Sequence, residues 1–228
     1  MIKEMKHITI CCLLVLMPIF VFSQGIIKRP VRKSQQTTVS QNSKPKPKPQ
    51  TKEWVDLGLS VKWATCNIGA HSPSDYGSYF AWGETASKSS FVVKNSKNEG
   101  KVVSDFSGNS KYDAARVIWG GKWRVPTKSE CEELVKNCEW TWTTQGGHKG
   151  FRVTSKINGN SIFLPATGSR INTMTGGVGE SGGYWTSTPE NEHDYPGYGY
   201  YLATSGPDIF FVRGDSRYRG YTVRPVTD

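Results

Sequence analysis

Tyr184-Trp-Thr-Ser-Thr188, Tyr200-Tyr-Leu-Ala-Thr204, Ile209-Phe-Phe-Val-Arg213 and Gly220-Tyr-Thr-Val-Arg-Pro-Val226 are four short runs near the end of the chain. Each is rich in β-branched and aromatic residues, and each gap carries Gly, Pro, Asn, Asp or Ser, so they predict four strands joined by turns. Large rings stand in every run: Tyr184, Trp185, Tyr200, Tyr201, Phe210, Phe211 and Tyr221. Those at strand positions are read as core. The intervening segments hold Glu190, Glu192, His193, Asp194, Tyr195 and Tyr198, then Arg213, Asp215, Arg217 and Tyr218. Polar and aromatic loops on a stiff sheet make a binding surface, and these ten residues are the candidate ligand contacts.

Outward from this stretch the chain divides in three. Residues 1–23 have a basic start at Lys3 and Lys6, an apolar run from Ile8 to Phe22 and a small residue at Ser23, which predicts a cleaved export signal with Gln24 as the mature start. The run is short for a membrane span. Cys11 and Cys12 precede most of it, so no lipid-anchored cysteine is expected at the cleavage point. Residues 24–52 have little to bury and contain Lys-Pro-Lys-Pro-Lys-Pro, which predicts a disordered, partly extended linker. Residues 53–228 suit one domain.

The charge follows the same division. The whole chain carries a formal +10, but from Glu53 onward there are 19 basic and 18 acidic residues. The excess therefore belongs to the linker. Nucleic acid as a partner is excluded on that ground, because it requires basic charge on the folded face.

Within the domain, Trp54–Leu59 and Val61–Asn67 read as strands, and Glu84–Ser107 as a long polar excursion. Lys111–Ile118 reads as a short helix ended by Gly120 and Gly121. Thr127 and Glu130 form a capping box just after Pro126. Cys131, Leu134, Val135 and Cys138 follow at helical spacing, predicting a helix of about ten residues. Trp140–Thr144 and Phe151–Lys156 read as paired strands, Asn158-Gly159 as a hairpin into Ser161–Leu164, and Ala166–Gly183 as a long loop.

Several phrases occur in order: V-D-L-G-L-S-V-K-W-A-T-C-N-I-G-A (55–70), Y-F-A-W-G-E-T (79–85), D-A-A-R-V-I-W-G-G-K-W-R-V-P-T (113–127), C-E-W-T-W-T-T (138–144), N-G-N-S-I-F-L-P-A (158–166), G-Y-W-T-S-T (183–188) and R-G-Y-T-V-R-P-V (219–226). Together they resemble the Fibrobacter succinogenes major paralogous domain family over residues 53–228. The resemblance implies an exported bacterial protein with an α+β, C-type lectin-like fold. Two short helices would pack on antiparallel sheets, with N- and C-terminal strands paired (Val55–Leu59 near Tyr221–Val226) and long loops on one side. With no catalytic constellation and with polar, aromatic loops on the sheet, the sequence reads as a secreted or surface binding module, not an enzyme, with glycan or protein as its extracellular partner. The alternatives are an accessory subunit of a cell-envelope assembly and a relative of the formylglycine-generating enzymes, a branch of related scaffolds.

After signal removal Cys66, Cys131 and Cys138 remain, which suggests one disulfide and one free thiol. Cys131 and Cys138 are seven residues apart on one helix, about 10 Å of rise, too far to bridge. The family places Cys in A-T-C-N and N-C-x-W-T-W, so the resemblance implies a Cys66–Cys138 disulfide. Gly177-Val-Gly-Glu-Ser-Gly182 matches a dinucleotide pattern by letter, yet it leads into a strand and is set aside. Zinc spacings and a nucleophile elbow are absent. Pro189-Glu-Asn-Glu-His-Asp194 offers oxygen ligands that suit calcium. The Glu-Pro-Asn loop and Trp-Asn-Asp strand of calcium-dependent lectins are missing, so no cofactor is expected. Arg213-Gly-Asp-Ser216 is a tetrapeptide that integrins read, placed by the pattern in a turn between strands. It makes a host integrin a minor alternative partner, since such a triplet arises by chance in about one chain of this length in twenty.

Overall fold

The computed structural model describes residues 52–191 and 196–228. The segments 1–23 and 24–51, with the export signal and all but the last residue of the expected linker, lie outside it, as do Glu192, His193, Asp194 and Tyr195. Among the described residues no helix is long and apolar enough to cross a membrane.

The architecture is mostly β-sheet with two short α-helices. One sheet has the order β1 (Trp54–Val55), β2 (Lys62–Ala64), β11 (Val226–Thr227), all antiparallel. The two ends of the domain therefore share a sheet, but the terminal strand pairs with β2 at Trp63, and β1 lies beyond β2. A second sheet is the meander β3 (Cys138–Gln145), β4 (His148–Ser155), β5 (Ser161–Pro165). The third runs β10–β9–β8–β6–β7, where β6 is Thr167–Ile171, β7 Met174–Val178, β8 Ser181–Glu190, β9 Tyr198–Ser205 and β10 Ile209–Ser216. Within this sheet the β6–β8 contact, Gly168 beside Gly182, is parallel, and the β10–β9, β9–β8 and β6–β7 pairs are antiparallel.

Three of the four closing runs are thus strands of one sheet, and the fourth is not. Tyr221 and Thr222 make isolated bridges to Phe80 and Tyr184 before the chain reaches β11. The segment 166–183, expected as a loop, is a β6–β7 hairpin leading into β8. Some of its glycines serve close approach. A Cβ on Gly168 would lie 2.2 Å from the Gly176 carbonyl oxygen, and one on Gly183 would lie 2.1 Å from Cδ1 of Tyr221.

Helix α2 (Lys128–Asn137) forms where the capping box places it. Thr127 Oγ1 accepts from the Glu130 amide (3.3 Å), and Glu130 accepts from the Thr127 amide (2.8 Å). The same carboxylate takes Arg124 at 2.7 and 2.9 Å. Helix α1 (Ala114–Trp119) starts later than the sequence suggests because Asp113 caps it, accepting from the Arg116 amide. The other carboxylate oxygen of Asp113 accepts from Gly108 and Val125, which leaves Asp113 on the loop side of the helix start.

Strand alternation gives the central strands two buried faces. Tyr184 pairs with Leu202 and joins the core formed by Leu134, Phe151, Trp63 and Val226. Trp185 pairs with Tyr201 and joins Trp82, Phe106, Trp119, Trp123 and Tyr221. This explains why these runs are apolar almost throughout. The polar excursion 84–107 closes over the second core through buried polar contacts. Asn98 donates to the Trp82 and Gly83 carbonyls, while Glu84 accepts from Lys88 and the Lys97 amide.

Arg217 is a correction. Expected on a ligand loop, it is fully buried. It donates to the carbonyls of Tyr198, Asn98 and Lys101, with its guanidinium 4.1 Å over the Trp82 ring. Carbonyl oxygens and a ring face replace water around the cation. The Cys66–Cys138 disulfide is a second correction: Cys66, Cys131 and Cys138 are buried free thiols. Cys138 opens β3 within the core of Leu134 and Val153, whereas Cys66 follows β2 outside that cluster.

Candidate functional site

Arg213, Gly214, Asp215 and Ser216 lie inside β10, paired with Tyr201, Tyr200, Gly199 and Tyr198. The expected turn at this tetrapeptide is therefore absent. Gly214 is required by a neighbour rather than by a bend, since a Cβ there would sit 2.8 Å from Cγ of Glu190. Period-two alternation places Phe211, Arg213 and Asp215 on one face of β10, opposite Ala203, Tyr201 and Gly199.

On that face lies an open cleft of about 300 Å³. Phe211 and Arg213 form its β10 wall, Tyr201 and Tyr221 its aromatic side, and Gly168 and Gly182 part of its backbone lining. Ser169, Ser181, Thr204 and Ser205 line the remainder. The missing side chain at Gly183 lets the Tyr221 ring lie against the sheet. Tyr221 in turn stacks on Tyr201, with centroids 4.5 Å apart and planes 11° from parallel. Trp185 meets both rings edge-on.

The electrostatics divide sharply between neighbours. Tyr221 Oη donates to Asp215 Oδ2 at 2.5 Å, and Arg219 Nε lies 3.1 Å from Oδ1. Burial, then the Asp215 charge, push the Tyr221 phenol far above its ordinary value, and burial raises that of Tyr201. Both phenols stay neutral at physiological pH and act as fixed dipoles. Arg213 is exposed and lies 5.7 Å from the Phe211 ring centroid. Among the described residues no carboxylate pairs with it. Phe211, read as core, is 40 % exposed.

A second concavity of about 450 Å³ lies on the α2 side of the same strands, lined by Lys128, Glu132, Glu190, Tyr198, Tyr200 and Gly214 among others. Lys128 Nζ stands 3.9 Å above the Tyr200 ring. Glu190, expected on an exposed loop, ends β8 opposite Tyr198 and is only 3 % exposed. Tyr198 and Tyr218 are half-buried. Of the ten candidate contacts, Arg213 alone lines the first cleft, and Arg213, Glu190 and Tyr198 line the second. Tyr201, Tyr221, Phe211 and the four hydroxyl residues were missed. Their signal was the alternation of β9 and β10 combined with glycines at 182 and 183.

Among the described residues no group of three or more His, Cys, Asp or Glu side chains is placed to hold a metal ion. Burial raises the Cys131 thiol strongly and the Cys138 thiol to about 11, which keeps both protonated and weakly nucleophilic. Comparison of the chain with protein-family models, with curated proteins and with solved structures finds no match.

Proposed function

We propose that this chain is an exported bacterial recognition module, non-catalytic, that binds a glycan outside the cell. The resemblance to the Fibrobacter succinogenes major paralogous domain family motivates the address and a C-type lectin-like scaffold. The sheet shared by both ends of the domain and the two short helices agree with such a scaffold. The observation that carries the reading is the cleft itself. It combines the exposed Phe211 ring, backed by the largely buried rings of Tyr201 and Tyr221, with a guanidinium and the side chains of Ser169, Ser181 and Ser205. A pyranose offers the complementary surface, apolar C–H faces with hydroxyls around the edge, and aromatic rings take the first while polar groups take the second. The proposed site thus sits on a sheet face rather than on loop tips.

Probing the purified mature chain against a glycan array, with and without a chelator, tests this. Chelator-insensitive binding that is lost in Phe211→Ala supports a cation-free glycan site here; no binding to any glycan rejects it. A second reading, an accessory subunit that grips a protein, is favoured by β10, an eight-residue edge strand carrying Phe211. Co-purification of a stoichiometric envelope partner through β10 would select it. An enzyme of the formylglycine-generating type needs a reactive thiol, and the buried, protonated cysteines weigh against one.

A further inference from the structure

We infer that the cleft selects an acidic saccharide, one bearing a carboxylate, and that Arg213 receives the acid. The inference rests on the glycan reading above and adds the chemical class of the sugar. Arg213 is the one charged side chain among those lining the cleft. The nearest carboxylate on its face, Asp215, is already satisfied by other groups. Its Oδ2 accepts from Tyr221 Oη at 2.5 Å, and its Oδ1 faces Arg219 Nε at 3.1 Å and the Ser216 amide at 2.7 Å. Among the described residues Arg213 is therefore a cation with no paired carboxylate on the wall of a concave site, where the lining lowers the effective dielectric and concentrates the field on an incoming anion.

The shape of the group sharpens the choice. A guanidinium presents a planar fork of N–H donors that fits a carboxylate through two parallel bonds. The Arg213 guanidinium lies 5.7 Å from the Phe211 ring centroid, at the strand position paired with Tyr201. The lining holds no carboxylate, the strongest acceptor for a neutral sugar's hydroxyls; besides the largely buried phenols of Tyr201 and Tyr221 it offers the weaker hydroxyls of Ser169, Ser181, Thr204 and Ser205. A neutral sugar would meet modest partners and leave the cation unused. Past Ser169 the surface continues into a hollow of about 270 Å³ beside Ile171 and Met174, which Ser169 also lines. Room beyond the acid-binding end suits an oligosaccharide over a single residue.

The test is calorimetric titration of the mature chain with an oligogalacturonate, its fully methyl-esterified counterpart and a sulfated neutral oligosaccharide of equal length. The acid should bind at least about tenfold more tightly than the ester, the factor expected for one charge-assisted contact, and the advantage should shrink with salt. Arg213→Gln should erase the advantage and Arg213→Lys should retain part of it, with melting curves unchanged because the side chain is exposed. Equal binding of acid and ester, or an acid preference that survives in Arg213→Gln, overturns the inference while leaving the glycan reading in place. Preference for the sulfated ligand overturns the carboxylate assignment. If none of the three ligands binds, and a wider array of neutral and acidic glycans is also silent, both readings fall together.

Discussion

Replacing Arg224 by Leu should cost this domain about 3–5 kcal/mol of stability, a large fraction of the total for a domain of this size. Arg224 is 1 % exposed and sits where several segments meet. Its Nε donates to Asn67 Oδ1 at 2.7 Å, Nη1 to the Ala64 and Thr65 carbonyls at 3.0 Å each, and Nη2 to the Phe163 carbonyl at 2.9 Å. One side chain thereby ties the end of β2, the turn after it and β5 to the segment leading into β11. Leucine fills part of the volume but leaves four buried acceptors without this donor, at roughly 1 kcal/mol each. Relief of the guanidinium's own burial, which pulls its pKa down, offsets part of the loss. At roughly 2–4 °C per kcal/mol for a domain of this length, the melting temperature should drop by about 6–20 °C. Guanidinium chloride unfolding followed by tryptophan fluorescence is the assay, with Arg213→Gln as the exposed control expected within about 0.5 kcal/mol of wild type. A loss under 1 kcal/mol for Arg224→Leu, at unchanged slope, would refute the reasoning that this cation joins the two ends of the domain.

Gly183→Ala should destabilise by about 1–3 kcal/mol and deform the cleft, because the new Cβ lies 2.1 Å from the Tyr221 ring; thermal melts and saccharide titration check both effects. Thr127→Ala removes the cap of α2 and should cost about 1 kcal/mol by chemical unfolding, with Thr127→Ser close to neutral. Alkaline pH should unfold the protein cooperatively with tyrosine ionisation. Burial pushes the Tyr79 phenol up to about 12 and those of Tyr184 and Tyr221 further. The folded state therefore holds these protons more tightly than the unfolded chain; their contribution is complete below pH 10 and lost as pH rises through the folded values. Tyrosinate absorbance and circular dichroism should change together above pH 10, and early titration of all ten tyrosines in a still-folded protein would contradict it. Finally, the thiols of Cys131 and Cys138 should resist alkylation in the native protein and react at the rate of unfolding.

What the sequence determined is what local rules govern. Thr127, Glu130 and the apolar stripe after them specify α2 because capping and helical periodicity act within one or two turns. Asn158-Gly159 specifies its turn, and the β-branched and aromatic content of Tyr184–Thr188, Tyr200–Thr204 and Ile209–Arg213 specifies strands, because such side chains suit a pleated, buried surface. The charge count confined the basic excess to the segment before Glu53. Tertiary structure decided the rest, and glycine and charge show why. A glycine reads alike whether it turns the chain or admits a neighbour. Gly168, Gly183 and Gly214 stand where Gly176, Tyr221 and Glu190 approach, so by sequence the β6–β7 hairpin reads as a loop and the middle of β10 as a turn. A lone arginine likewise reads as exposed, but Arg217 is enclosed by carbonyls of residues 98 and 101, more than a hundred positions earlier. Arg213, four residues away, is left with an open cleft. Which cation is buried and which is offered to a ligand depends on partners that only the folded chain brings within hydrogen-bond reach.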